Sequence, residues 1–239
     1  MEEVVIGLCV DPVGNANEVN NLCRLLEKRK IRATVTVAGT VGKKPISTLG
    51  HLKPFLEGGH EIVNHTLSHP VRIGQLEMRE QEKEILLQHQ RLLELGKEYG
   101  KPFPVNGFRA PFYAYDETLF QVLPRLGYSF DSSSLYSPLL GVPFKPFVRN
   151  GILEIPVFFP DDMTLLDRML LTPEQLFQVW WRSYENAGRH FIFTIHPYGS
   201  AKDQGTLNAF EAFLEKMTKG GGNFLTLSEI AGTIRKELG

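Results

Sequence analysis

Residues 4–37 read VVIGLCVDPVGNANEVNNLCRLLEKRKIRATVTV, and this stretch decides the fold class. Its first seven residues form an apolar run that indicates a buried strand. The next segment, residues 17–30, carries apolar side chains on one helical face: Val19, Leu22, Cys23, Leu25 and Leu26. Residues 33–37 are apolar or β-branched, which favours a second strand. A strand, a helix and a strand in this order predict a βαβ unit and a parallel sheet.

The same alternation continues to the end of the chain. We predict further strands at residues 60–64, 106–109, 128–131, 151–157 and 191–195. Helices are predicted at residues 75–99, from the cap Asp116 to residue 126, and from the capping box at Thr172 to residue 187, followed by a last helix, strand and helix. Seven or eight strands alternating with helices suit an imperfect (β/α)7-8 barrel, and without repeats or linkers residues 1–239 predict one domain.

Charge, the amino-terminal residues and cysteine content limit the function classes. The chain has 26 basic and 27 acidic residues, so no positive surplus favours nucleic acid. Glu2 and Glu3 stand where a signal peptide would be basic, and the apolar run is too short to span a membrane; a peripheral membrane contact stays open. Cys9 and Cys23 lie in a strand and a helix pattern, which indicates buried thiols and a cytoplasmic location.

Polar side chains follow several of the predicted strands, at the carboxyl ends where barrel enzymes place their catalytic residues. These candidates are Asp11, His65, His69, Arg109, Asp131 and His196. In NHTLSHP, residues 64–70, two histidines four residues apart on one helical turn can face a single metal ion. The alternative is a histidine that caps a turn and another satisfied in the core. The other candidates at the same predicted edge favour metal ligation.

Two further segments carry candidate catalytic side chains. In GFRAPFY, residues 107–113, Arg109 can fix a carboxylate such as Asp11 by paired hydrogen bonds, or it closes the barrel mouth as a structural ion pair. Phe112 and Tyr113 are candidates for a sugar subsite, with core packing as the alternative. In TIHPY, residues 194–198, His196 is either a proton shuttle or a satisfied polar group at a strand end.

Taken in order, the segments VDPVG, HTLSH, RAPF, FDSS, LEIPV and TIHP resemble the motifs of the polysaccharide deacetylase family, also called the NodB-homology or carbohydrate esterase 4 family. The resemblance extends over nearly the whole chain. It implies a distorted barrel that removes an N-acetyl or related acyl group from an amino sugar with one divalent metal, usually zinc. The implied partner is therefore an amino-sugar-containing small molecule or glycan.

The resemblance also implies a role for each matched residue. His65 and His69 would bind the metal, and Asp11 would be the general base, tethered by Arg109. His196 would protonate the leaving amine, while Phe112 would offer its backbone N–H to the oxyanion. The predicted substrate-binding residues are Phe112, Tyr113 and Asp131. Asp131 sits in a segment that family members share, and its role could be to orient a partner.

One residue departs from the family pattern, because Pro12 stands where a second aspartate supplies the third metal ligand. In relatives with an Asp-x-Asp spacing, that acid would fall on Val13. A catalytic zinc normally has three protein ligands, so Asp11 would have to become a ligand or another carboxylate would have to substitute. The available substitutes are Asp131, Asp161 and Asp162, although the last two could equally be loop or capping acids.

Two functional hypotheses follow. The first is a hydrolase acting on an intracellular glycan or on a lipid- or nucleotide-linked sugar; another acyl group or a cyclic amide also fits. The second is a catalytically inactive relative that binds a glycan or a partner protein through the same groove, because the metal-ligand aspartate is replaced by Pro12.

Overall fold

The computed structural model describes residues 4–238, so the acidic start at Glu2 and Glu3 lies outside the described residues. The strands are β1 Val4–Val10, β2 Thr34–Val37, β3 Thr40–Val41, β4 Lys44–Pro45, β5 Glu61–Asn64, β6 Gly107–Phe108, β7 Phe130–Asp131, β8 Leu135–Tyr136, β9 Phe147–Arg149, β10 Ile152–Glu154, β11 Val157–Phe158, β12 His190–Ile195 and β13 Gly222–Phe224. The helices are α1 Ala16–Arg29, α2 Leu49–Glu57, α3 Met78–Glu98, α4 Leu119–Arg125, α5 Pro173–Glu185, α6 Pro197–Ser200, α7 Gln204–Lys219 and α8 Leu227–Leu238.

The main sheet is a curled half-barrel in the order β12-β1-β2-β5-β6-β7-β10-β9. Its strands from β12 to β10 pair in parallel, while β9 is antiparallel to β10. The predicted α/β class and distorted barrel are confirmed. The predicted strand at residues 151–157 is instead two strands, because Pro156 has no N–H to donate to a ladder. β11 pairs with β8 outside the main sheet.

Side-chain caps mark the starts of α1, α2, α5 and α7. Asn15 and Glu18 form a capping box at the start of α1, and Thr172 and Gln175 form the predicted one at α5. Helix α2 was not predicted, because it is short and contains Pro54. Among the described helices, none combines the length and the apolar composition that a bilayer crossing needs.

An aromatic cluster holds β12 against the helices that cover it. Trp180 of α5 contacts Phe193 of β12 and Phe213 of α7, with ring centroids 5.5 and 5.3 Å apart respectively. All six residues of β12 are buried, as expected of a parallel strand covered on both faces. This packing fixes the carboxyl end of β12, where His196 follows.

The strand register aligns the carboxyl ends of five strands. Val10 is paired with Ile195, Asn64 with Phe108, and Phe108 with Asp131. The residues that follow these strands therefore lie along one edge of the sheet: Asp11, His65, Arg109, Ser132 and His196.

Candidate active site

A cavity of about 300 Å³ opens at this edge of the sheet. Its lining includes most of the residues singled out in the sequence: Asp11, His65, His69, Arg109, Phe112, Tyr113 and His196. The helical turns after β11 supply another part of the wall, with Asp161 and Arg168. Side chains that follow β1, β5, β6, β11 and β12 thus face one space, as in other parallel α/β proteins.

Asp11, His65 and His69 form a candidate metal centre, because each offers a ligand atom and these atoms lie within 4.8 Å of one another. His65 Nδ1 donates to the carbonyl oxygen of Arg109 at 2.8 Å, which leaves Nε2 free to ligate. That Nε2 lies 3.2 Å from Asp11 Oδ2. In the part of the chain described, His65 Nε2 and Asp11 Oδ1 are buried without a hydrogen-bond partner. Two imidazoles and a carboxylate with free lone pairs fit a divalent metal such as zinc.

The charge states of these side chains also suit metal ligation. Burial and the neighbouring His65 lower the pKa of His69 to about 4, so its imidazole is neutral at pH 7. Burial acts to raise the pKa of Asp11, but the imidazoles of His65 and His196 outweigh it and hold that pKa well below its ordinary value. Asp11 is therefore ionised near neutral pH. Neutral imidazole and ionised carboxylate are the forms that bind metals.

The two histidines lie on an irregular loop, so the predicted helical turn is wrong. Thr66 and His69 have φ angles of 70° and 54°, outside the helical region. The Asn64 side chain accepts a hydrogen bond from Thr66 N at 2.8 Å and thereby turns the loop. The His65 and His69 rings still face each other, with centroids 5.0 Å apart. The loop, and not a helical turn, therefore brings the two imidazoles together.

The close approach of Gly39 to this loop can be tested by substitution. A Cβ at Gly39 would lie 2.4 Å from the backbone oxygen of Leu67, between the two histidines. We expect Gly39→Ala to displace the loop and to weaken zinc binding by about 10–100-fold, comparable with loss of an outer contact to a metal ligand. A competitive zinc titration measures this. The matched control is Gly50→Ala, where nothing lies within 4 Å, and equal zinc affinity in both variants would contradict the expectation.

Arg109 does not form the expected paired hydrogen bonds with Asp11. Its guanidinium is buried and donates instead to Ser132 O and Ser132 Oγ, to Thr194 Oγ1 and to Cys9 Sγ. Arg109 thus connects β1, β12 and Ser132, the residue that follows β7, and it also lines the cavity. Its charge still favours the ionised form of Asp11 without direct contact.

His196 is held by Asp162. The imidazole Nδ1 donates to Asp162 Oδ1 at 2.7 Å, and the second carboxylate oxygen accepts from His196 N and Ser200 Oγ. Burial disfavours the imidazolium, but Asp162 and Asp11 outweigh it and raise the pKa of His196 well above its ordinary value. His196 Nε2 faces the cavity, 3.6 Å from Asp11 Oδ2. The arrangement suits a general acid.

The other acidic candidates lie outside the metal centre. Asp161 Oδ1 accepts a hydrogen bond from Thr164 N, which is the alternative role of a capping acid, and Asp161 Oδ2 lies 3.5 Å from the Tyr113 hydroxyl. Asp131 is fully buried and does not line the cavity, so the prediction that it contacts substrate disagrees with the structure. Phe112 and Tyr113 do line it, and the Phe112 ring packs on His69 with centroids 4.9 Å apart.

Comparison with known proteins identifies the family. A family model described as polysaccharide deacetylase matches residues 1–130, more than half of the chain. The chain belongs to the polysaccharide deacetylase family. No curated protein matches it.

Solved structures of polysaccharide deacetylases share the fold. A Mycobacterium smegmatis protein described as a polysaccharide deacetylase is 20% identical, with a TM-score of 0.76 over 98% of this chain and 91% of that one. A peptidoglycan deacetylase from Bacillus subtilis is 20% identical, with a TM-score of 0.63 over 99% and 96%. A carbohydrate esterase 4 family pseudoenzyme from Bacillus anthracis is 15% identical, with a TM-score of 0.68 over 96% and 66%.

The departure from the polysaccharide deacetylase pattern at residues 12 and 13 has a structural counterpart. Val13 lines the cavity, whereas Pro12 is buried and does not line it. The carbonyl oxygen of Pro12 accepts a hydrogen bond from Nε2 of the His51 ring. Neither side chain can ligate a metal, so Asp11 is the carboxylate of the candidate metal centre.

Proposed function

We propose that this chain is a metal-dependent hydrolase that removes an N-acetyl or related acyl group from an amino sugar. The observation that carries the proposal is the convergence of two sets of groups on one cavity. Asp11, His65 and His69 offer ligand atoms within 4.8 Å of one another, and the His196 and Asp162 pair lies directly beside them. Metal ligands next to an oriented acid form the arrangement that amide hydrolysis needs.

In this proposal Asp11, His65 and His69 hold the divalent metal, with zinc as the expected ion. A zinc ion in such a site supplies Lewis acidity, which polarises an acyl carbonyl and makes water more acidic. The two oxygens of Asp11 have different surroundings. Oδ2 lies between His65 and His196, while Oδ1 has no hydrogen-bond partner in residues 4–238. One oxygen can therefore ligate while the other accepts a proton, so both roles fall on one residue.

The protein's own groups carry the proton transfers. Asp11 accepts the proton from water as the water oxygen bonds to the acyl carbon. The backbone N–H of Phe112, at the cavity wall, is the proposed donor to the developing oxyanion. As the acyl C–N bond breaks, His196 gives its Nε2 proton to the departing amine, and Asp162 stabilises the imidazolium before that transfer.

The substrate proposed is a single amino-sugar unit, free or at the end of a conjugate or glycan. A space of about 300 Å³ is at the lower end of ligand pockets, which suits one sugar unit rather than a long internal stretch. Phe112, Tyr113 and Tyr198 line it and offer aromatic faces to a sugar ring. An intracellular substrate is consistent with the free, buried thiols of Cys9 and Cys23.

The test is acetate release from N-acetylated sugars by protein stripped of metal and reloaded with zinc, cobalt or manganese. Free N-acetylglucosamine, its short oligomers, and nucleotide-linked and lipid-linked forms make up the panel. We expect hydrolysis only in the reloaded protein, and faster hydrolysis of the shortest substrates. Absence of hydrolysis across the panel in protein that binds metal stoichiometrically would overturn the deacetylase proposal.

Replacing Asp162 tests whether His196 acts as the proposed general acid. In Asp162→Asn the amide cannot stabilise the imidazolium or fix its tautomer, so we expect kcat to fall by about 10²–10⁴-fold with KM little changed. Steady-state kinetics with the best substrate measure this. The matched control is Asp203→Asn at the start of α7, because asparagine caps a helix as well as aspartate does. A kcat in Asp162→Asn within a factor of about two of the control would contradict the proposed acid.

A second candidate function rests on the absence of a carboxylate at residues 12 and 13. A pseudoenzyme of the same family is among the similar structures, which supports a chain that binds a glycan without cleaving it. Equilibrium binding of the same sugars separates the candidates. Sugar binding that needs no metal, together with no acetate release, would favour this function over hydrolysis.

A further inference from the structure

Two buried carboxyl groups lie side by side below the active-site edge. Asp131 of β7 and Glu154 of β10 are partners in the parallel ladder, and neither side chain has any exposed surface. Neither residue lines the cavity, so the proposed hydrolysis does not use them directly. Two adjacent carboxyl groups cannot both be ionised in such a place without a large repulsion.

In each of the two carboxyl groups, one oxygen accepts hydrogen bonds and the other has no partner among the described residues. Asp131 Oδ1 accepts from Ser132 N at 2.9 Å and from Ser133 Oγ at 2.6 Å. Glu154 Oε1 accepts from Ser133 N at 3.0 Å and from the backbone and hydroxyl of Ser134, both at 2.7 Å. In the described chain, the buried oxygens Asp131 Oδ2 and Glu154 Oε2 have no hydrogen-bond partner.

Other charged or titratable groups do not neutralise the pair. Arg109 directs its guanidinium to Ser132 and Thr194. The ion pairs within residues 4–238 include neither carboxyl group. Tyr115 is close enough for both carboxyl groups to raise its pKa further, beyond the effect of its partial burial, so it stays neutral. Burial, followed by the charge of Glu154, raises the pKa of Asp131 well above its ordinary value.

We propose that Asp131 Oδ2 and Glu154 Oε2 share one proton, and that this acid pair is a positioning unit for the active site. The shared proton supplies the hydrogen bond that both oxygens otherwise lack, and it leaves one negative charge for the serine donors. The pair then holds residues 132–134 in a single arrangement.

That serine segment contacts the strand end that carries the site. Ser133 Oγ accepts from Ala110 N at 2.8 Å, and Ser132 accepts two hydrogen bonds from the Arg109 guanidinium. The carbonyl oxygen of Arg109 in turn accepts from His65 Nδ1. A shift of the serine segment therefore reaches His65 through backbone atoms. This step rests on the proposed function, in which His65 is a metal ligand.

Amide substitutions test the shared proton. Asp131→Asn or Glu154→Gln keeps one donor between the two groups and the same net charge, so each single variant should melt within about 4 °C of wild type. In the double variant two NH₂ groups face each other, and turning either amide would place its donors against the serine donors. We expect its melting temperature to fall by roughly 5–15 °C more than the sum of the single variants. A double variant whose loss equals that sum would overturn the shared proton.

A spectroscopic measurement on wild type does not depend on the variants folding. A carboxylic acid keeps a C=O stretching band in the infrared that ionised carboxylates lack, and this band should be present at pH 7 in wild type. Asp131→Asn and Glu154→Gln should each remove it. Absence of the band in wild type at pH 7 would overturn the proposal independently of stability and of activity.

Two serine substitutions test the positioning role. Ser133→Ala breaks the hydrogen bond with Ala110 N. The matched control Ser134→Ala also removes one hydroxyl donor to the pair, but within residues 4–238 the Ser134 hydroxyl bonds to Glu154 and not to Arg109 or Ala110. We expect cobalt affinity, followed by the visible spectrum of the bound ion, to fall by about tenfold in Ser133→Ala and to stay unchanged in Ser134→Ala. Equal effects of the two substitutions on cobalt affinity would overturn the positioning role. If wild type binds no cobalt, the metal proposal fails, and the amide and infrared tests still decide the shared proton.

Discussion

Replacing Asp11 by asparagine is expected to lower kcat/KM for deacylation by about 10³-fold or more, because one substitution removes both a metal ligand and the proposed base. Asp11 is the carboxylate within ligand distance of both His65 and His69. An asparagine keeps the shape of the side chain but loses the charge, so we also expect weaker zinc binding. Kinetics and a competitive zinc titration measure the two effects on the same preparation.

The matched control for this prediction is Asp116→Asn. Asp116 accepts hydrogen bonds from Thr118 N and Leu119 N at the start of α4, which asparagine can also do, so activity should be unchanged. If Asp11→Asn deacylates as fast as wild type at saturating zinc, Asp11 is not the base. If only zinc affinity falls and added zinc restores the full rate, the ligand role stands and the base is another group.

The fold was predictable where side-chain periodicity is strong. Residues 4–37 predict β1, α1 and β2 within about two residues at each boundary, since buried strands and one-sided helices leave distinct patterns. Helix α2 was missed because a nine-residue segment with an internal proline has little periodicity. The strand at residues 151–157 was predicted as continuous because its apolar run hides the effect of Pro156.

The candidate site was predictable as a set of residues but not as a set of contacts. Asp11, His65 and His196 could be grouped because they follow strands whose carboxyl ends meet at one edge. The partner of His196 could not be chosen, because Asp161 and Asp162 are adjacent and the turn alone decides which carboxylate faces the imidazole. Chain order places residues near each other, while side-chain packing selects their partners.

The partners of Arg109 illustrate the same limit. A buried guanidinium needs several acceptors, and an aspartate at the same edge is a reasonable sequence-based choice. In the structure its acceptors are Ser132, Thr194 and Cys9, small side chains and a carbonyl oxygen that no sequence pattern distinguishes. Asp11 is thereby left without a competing partner for Oδ1, which keeps that oxygen available for a metal.

Val13→Asp is expected to strengthen zinc binding by at least about tenfold, whereas Pro12→Asp is expected to leave it unchanged. Both variants add one carboxylate to the same segment, so they are matched in charge. They differ in place, because Val13 lines the cavity beside the candidate metal centre and Pro12 does not. Zinc titrations of wild type and both variants, under one buffer and competitor, measure the difference.

The same pair of variants separates the two roles assigned to Asp11. A carboxylate at residue 13 would complete the three-ligand set with His65 and His69, and Asp11 would then be free to act only as a base. We therefore expect Val13→Asp to deacylate its substrate faster than wild type even when both proteins are saturated with zinc. Tighter zinc binding without a faster reaction would mean that Asp11 already performs the base step in the wild-type chain. Stronger zinc binding in Pro12→Asp than in Val13→Asp would show that the segment rearranges around the metal. It would contradict a cavity that Val13 lines and Pro12 does not.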